Sequence, residues 1–110
     1  MSEKKSPATP TLTTRQKQFL KGLAHALSPL VQIGKEEVSP GVLETIRTEL
    51  LNHELIKVKI GSNCGLDKHD TSTILSAQTA SALVQLIGKT IVLYKPNPER
   101  AKEKRIQLPK

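Results

Sequence analysis

Between Leu55 and Ile60 the chain alternates strictly, with Ile56, Val58 and Ile60 on one side and Lys57 and Lys59 on the other. Side chains project to opposite faces of a strand with a period of two, so this pattern fits a strand with one aliphatic and one lysine face. Gly61-Ser62-Asn63-Cys64-Gly65 then breaks it. The rest of the chain has to be arranged around that strand.

On its N-terminal side lie two helical patterns and a second strand. Phe19, Leu20, Leu23 and Leu27 recur at steps of three and four, with Arg15, Lys17 and Lys21 off the stripe; this spacing predicts a helix from about Thr13, with Phe19 in the core. Thr13 or Thr14 can cap it, and Ser28-Pro29 marks its end. Leu30 to Ile33 reads as a short strand ending at Gly34. Ser39-Pro40 suits a helix entry, because serine accepts an orphan backbone N–H and proline fits the first helical position. Val42, Leu43, Ile46 and Leu50 form the inward stripe of that second helix.

On the C-terminal side a weaker helix covers about Lys68 to Ala80, with Ile74, Leu75 and Ala77 turned partly inward. Two strands, Leu83–Ile87 and Thr90–Tyr94, are joined through Gly88-Lys89 as a hairpin. Pro96 and Pro98 end the regular structure, with a last extended piece possible at Ile106-Gln107-Leu108. The order α-β-α-β-α-β-β predicts parallel pairing through crossovers and an antiparallel hairpin at the end. The fold class is therefore α/β, a two-layer sandwich with a mixed four-stranded sheet. Residues 1–11, rich in Pro, Ser and Thr, read as a disordered lead-in. Residues 12–96 form the domain, and 97–110 a basic tail.

The chain has 110 residues and a net charge of +7, which makes nucleic acid the polyanion it most readily meets. Charge is uneven: residues 1–35 carry six basic and one acidic side chain, 36–70 four and seven, and 71–110 seven and two. An anionic partner should thus be held by both ends of the chain. The one cysteine, Cys64, excludes an internal disulfide and suits a reducing compartment. With no apolar run of membrane-spanning length and no secretory start, a cytoplasmic location is expected.

No enzyme chemistry emerges. Gly88-Lys89-Thr90 resembles the end of a phosphate-binding P-loop, but Leu83 stands where the earlier glycine is required, and a strand follows instead of a helix. His25, His53 and His69 are too scattered to share a metal, and Cys64 has no activating neighbour in sequence. The acidic residues fall mostly on outward faces, where solvation is their ordinary role. No catalytic residue, metal, cofactor or small-molecule substrate is expected.

The junction from Ile33 through Gly34-Lys35 to the capped helix at Ser39-Pro40 is more informative, since free N–H groups at a helix start favour phosphate. Four blocks extend that observation. Gln16-Lys17-Gln18-Phe19-Leu20-Lys21-Gly22-Leu23-Ala24-His25 resembles the first helix of CRM domains of the YhbY type, and Pro29 to Lys35 is similar to their first strand and loop. His53 to Lys59 resembles their second strand and Val84 to Tyr94 their closing hairpin. The resemblance implies a fold related to the C-terminal domain of translation initiation factor three. It also implies RNA binding through a GxxG loop and association with large-subunit ribosomal precursors. In this chain the loop reads Gly34-Lys35-Glu36-Glu37, with Glu37 where a second glycine is expected. Losing that glycine costs about 1 kcal/mol if the position needs positive φ.

Weight therefore shifts to the other cations. The candidate RNA-binding residues are Gly34, Lys35, Lys17, Lys21, Lys57, Lys59, Lys89, Lys95, Arg100 and Arg105, with Lys102 and Lys104 in the same tail. Tyr94 is the one aromatic expected to be free to stack on a base, so recognition should rest on backbone and shape. The expected function is a non-enzymatic RNA-binding ribosome assembly factor on precursor large-subunit RNA. The alternative is a protein-interaction module with incidental RNA contact, which Glu36 and Glu37 would suit.

Overall fold

A computed structural model describes residues 10–34, 38–61 and 67–109. Three helices, α1 (Thr14–His25), α2 (Pro40–His53) and α3 (Lys68–Thr79), alternate with strands β1 (Val31–Ile33), β2 (Leu55–Ile60), β3 (Ala82–Ile87) and β4 (Thr90–Tyr94). A 3-10 turn, Lys102–Lys104, lies in the tail. The element order is the expected one. The sheet runs β1-β2-β4-β3, with β1 parallel to β2 and β4 antiparallel to both β2 and β3.

Local chemistry sets the helix ends. Thr13 caps α1 in a reciprocal box: its hydroxyl accepts from Gln16 N at 3.1 Å, and the Gln16 amide oxygen accepts from Thr13 N at 3.0 Å. Ser39 caps α2 by accepting from Val42 N, with Pro40 in the first turn. Asp67 caps α3, its carboxylate accepting from His69 N and Asp70 N.

Alternation along the strands divides the core in two. Ile56, Val58, Ile60, Ile91 and Leu93 point one way, where Ile46 and Leu50 of α2 and Leu75 of α3 cover them. Leu55, Val92, Tyr94 and Val84 point the other way, against Leu20 and Ala24 of α1. The expected two layers are thus the sheet with α2 and α3, and α1 adds cover on the opposite face.

Three expectations about packing are corrected. Phe19 is 39% exposed, not core, and Leu23 and Leu27 are each 40% exposed. Leu20 and Ala24 alone form the buried stripe of α1. In α3, Ile74 and Ala77 face solvent, while the inward positions besides Leu75 are Thr71, Ser72 and Thr79. Their hydroxyls donate to carbonyls one turn back (Asp67, His69 and Leu75), so a helix with a polar inner face can be buried. Ile106 to Leu108 forms no strand, yet Ile106 and Leu108 pack against the α1-side core.

At the far end of the sheet, where β1 and β2 finish and the hairpin turns, the backbones close up. Gly61 N donates to Ile33 O at 2.7 Å, and Ile60 N donates to Lys89 O at 2.8 Å. A Cβ at Gly61 would lie 2.9 Å from Ile33 O, so only glycine fits there. Gly88 takes φ +56° in the two-residue turn.

Candidate nucleic-acid interface

The α1 side of the sheet is only half covered. α1 packs over its Leu55, Tyr94 and Ala82 end, in contact with β2 and β3. Beyond it lies a row that crosses all four strands. Gln32 pairs with Lys59, Lys59 with Thr90, and Thr90 with Ile87. Each of the four alternates with residues of the α2/α3 core, so all four project to the α1 side. Gln32, Lys59 and Ile87 are exposed, and Thr90 is half-buried.

α1 itself has two flanks. Gln16 donates through Nε2 to Pro109 O, and Leu23 and Leu27 line a groove of about 360 Å³ with His53 and Ile106. That flank faces the folded-back tail. With Leu20 and Ala24 pointing at the sheet, helical spacing turns Lys17 and Lys21 to the opposite flank, and Lys17 lies beside Ala82 and Leu83 at the start of β3. Neither α1 nor any of the four strands contains an aspartate or glutamate. Glu44, Glu49 and Asp70 stand on the helices of the other side.

The candidate residues fall into distinct settings. Lys17, Lys59 and Lys89 are exposed and Lys21 half-buried, and their ammonium groups meet no hydrogen-bond or ion-pair partner among the described atoms. Lys57 Nζ donates to Leu27 O at 3.0 Å, just past the end of α1, where a cation complements the helix dipole. Lys95 Nζ reaches Thr79 O at the end of α3. Gly34 follows β1 at the crowded sheet end, yet a Cβ there would meet nothing within 4 Å and its φ is ordinary. The chain's own packing does not demand glycine at that position. Lys35, Glu36 and Glu37 lie outside the described residues, as does Cys64.

The tail is tied down by a residue that sequence reasoning missed. Glu54, which no sequence pattern singled out, is 1% exposed. It ends α2 at φ 65°, which directs its side chain beneath the tail. Its carboxylate accepts from Asn97 N at 2.7 Å, Ile106 N at 2.8 Å and Arg100 Nη1 at 3.1 Å, while its carbonyl accepts from Lys95 N. Arg100 is thereby engaged in a buried ion pair. Arg105 is half-buried, and its Nε has no partner among the described atoms.

The aromatics are also exchanged. Tyr94, expected to be free for stacking, is 3% exposed beneath α1 and the tail, whereas Phe19 is open. Burial pushes the Tyr94 hydroxyl above its ordinary value of 10.0, and the nearby Glu54 charge acts in the same direction. Among the described residues no cluster of three or more His, Cys, Asp or Glu could hold a metal. None of the described helices is long and apolar enough to cross a membrane.

This arrangement, a mixed α/β sheet with a lysine-bearing face and a glycine after the first strand, defines a class of small domain. The chain belongs to the CRS1/YhbY (CRM) domain family, whose model matches residues 12–95. It is 47% identical over 103 residues to a Haemophilus influenzae protein named RNA-binding protein, covering 91% of this chain and 97% of that one. It is 45% identical over 98 residues to YqeI of Bacillus subtilis, named a probable RNA-binding protein, covering 89% and 99% of the two chains. A Staphylococcus aureus protein solved in solution and proposed to bind RNA superposes with a TM-score of 0.74 at 40% identity, covering 90% of this chain and all of that one.

Proposed function

We propose that this protein is a non-enzymatic RNA-binding factor that associates with precursor large-subunit ribosomal RNA during ribosome assembly in the cytoplasm. The observation that carries this reading is the sidedness of charge. Lys17, Lys21, Lys57 and Lys59 share the α1 side of a sheet that contains no carboxylate, and Lys89 stands at its rim. A polyphosphate laid on that side meets cations without a repelling neighbour on helix or strand. The names of the relatives support RNA as the polyanion.

Within this reading the lysines divide by role. Lys17, Lys21, Lys59 and Lys89 contact phosphates, while Lys57 both caps α1 and adds to the field. Gly34, with open space around its Cα, lets a backbone approach the end of β1. Lys95 and Arg100 serve chiefly to hold the fold. Arg105, Lys102 and Lys104 make a secondary basic strip along the tail.

Crosslinking the protein to RNA in cells and sequencing the attached fragments tests the assignment. Enrichment of precursor large-subunit RNA is the expected result, and fragments spread in proportion to cellular abundance would overturn it. A protein contact is a second reading, favoured by the exposed Leu23, Leu27 and Leu30 that line the groove beside α1. A partner that survives ribonuclease treatment would support it.

A further inference from the structure

We propose that the cross-strand row Gln32–Lys59–Thr90–Ile87 is a platform for the bases of single-stranded RNA, set among the phosphate-contacting lysines and sharing Lys59 with them. This inference rests on the RNA-binding reading and specifies which form of RNA the face accepts.

Three observations carry it. The first is openness: α1 stops short of this row, and the groups at its two ends, Gln32 and Ile87, are both exposed. Ile87 is 56% exposed, in a strand position where an aliphatic side chain gains nothing from water. The second is chemistry. A carboxamide, an ammonium and a hydroxyl stand side by side, followed by an apolar surface, so the row can donate to base edges, accept from them and pack against a base plane. A β-bulge between Leu83 and Gln85 adds to this surface. It sets Gln85 opposite Val92, on the same side as buried Val84, and so brings a second carboxamide next to the row.

The third observation is placement. The row is the last one before the sheet end at which Gly34, Gly61 and the Gly88-Lys89 turn converge. Lys21, on the flank of α1 turned away from the tail, stands toward its other side. A strand of RNA whose phosphates run between these cations has its bases over the row. Adjacent strands are about 4.8 Å apart, so four residues span roughly 14 Å, comparable to the four-stranded sheets that carry two or three bases in other RNA-binding folds. Here the aromatic side chains used by those folds are absent, and amides with one aliphatic side chain take their place. An A-form duplex cannot lay its bases on such a surface, because they stay stacked and paired inside the helix.

The test compares a short single-stranded RNA of mixed sequence with a blunt duplex of equal length, using the full chain and fluorescence anisotropy across a salt series. The double variant Gln32→Ala/Ile87→Ala alters exposed side chains, and thermal melting checks that its fold is intact. It is expected to lose about tenfold in affinity for the single strand, roughly 1.4 kcal/mol, with little change for the duplex and an unaltered salt slope. Lys17→Ala/Lys21→Ala is expected to weaken both RNAs and flatten both slopes. Undiminished single-strand binding by the Gln32/Ile87 variant, or equal losses on both RNAs, would overturn the platform alone. Failure of the unaltered protein to bind either RNA would overturn the RNA-binding reading and the platform with it.

Discussion

The two faces of one sheet are built to different ends. On the α2/α3 side every strand contributes aliphatic residues to a single cluster, and the helices that close it carry Glu44, Glu49 and Asp70. On the α1 side one end of the sheet is covered by a helix and a folded-back tail, while the other end presents Gln32, Lys59, Thr90 and Ile87. The first face needs only to exclude water. The second divides its area between excluding water and meeting a ligand, and it covers its closed half by means that reach across the chain. Residues far apart in sequence, Gln16 with Pro109 and Glu54 with Ile106, hold that half together.

The largest expected effect falls on that long-range tie. Glu54→Ala removes the acceptor for two backbone N–H groups and leaves the Arg100 guanidinium, with 21% of its side chain exposed, without its partner. Breaking a buried pair in this way costs about 3–5 kcal/mol. Urea unfolding should register that loss, and limited proteolysis should cut first between Pro96 and Pro109. A variant as stable as the parent would show that the tail is not held by Glu54.

Adjacent residues of α1 give the next contrast. Leu20→Ala empties a fully buried site and is expected to destabilise by about 2–5 kcal/mol, whereas Phe19→Ala alters an exposed residue and should change stability by less than about 1 kcal/mol. Equal losses would mean that Phe19 is covered after all. The same pair shows where sequence reading stops. The repeat of Phe19, Leu20, Leu23 and Leu27 locates the helix, but its width exceeds the strip that the sheet can cover. Which part is buried depends on the angle at which α1 crosses the strands, and the small Ala24 takes a core place while the larger Phe19 does not.

Elements with a strict period were legible for the same reason that they fold. β2 falls where alternation sets it, β4 where the Gly88-Lys89 hairpin puts it, and Ser39-Pro40 opens α2 as its chemistry requires. Glu54 was not legible, because its partners lie 43 to 52 residues further along and its φ of 65° is unusual for glutamate. Nor was the inner face of α3, whose threonines and serine satisfy themselves on their own helix and so mimic a surface pattern. Of the candidate lysines, the sequence could count charges but not assign them. Lys57 and Lys95 turn toward helix ends, while Lys59 is left to the open face and Lys17 and Lys21 to the flank of α1 away from the tail.

That division leads to a binding experiment of intermediate size. Replacing Lys17, Lys21 and Lys59 together with alanine should reduce the salt slope of single-strand binding by about 2, at roughly 0.7 per lost phosphate contact. Affinity at moderate salt should fall tenfold or more, about 1.4 kcal/mol, with the melting temperature nearly unchanged. A slope that stays constant would place the phosphate path elsewhere and remove the functional distinction between the two faces.

The smallest effect lies beneath α1 and reports on how dry the closed half is. The Tyr94 hydroxyl titrates above 10.0 in the folded chain, first because it is buried and second because Glu54 is near. In the unfolded chain it loses its proton near the ordinary value. The unfolded state therefore binds fewer protons once the pH rises past about 10, and stability falls as pH increases through that window. Below it both states hold a neutral tyrosine and Tyr94 contributes no pH dependence. Tyr94→Phe removes the titration while keeping the ring, so its stability should decline less steeply than the parent's above pH of about 10. Lysines titrate in the same range, and the difference between the two proteins isolates the tyrosine. Identical curves would mean that water reaches the hydroxyl, and that the closed half of this face is less sealed than the α2/α3 side.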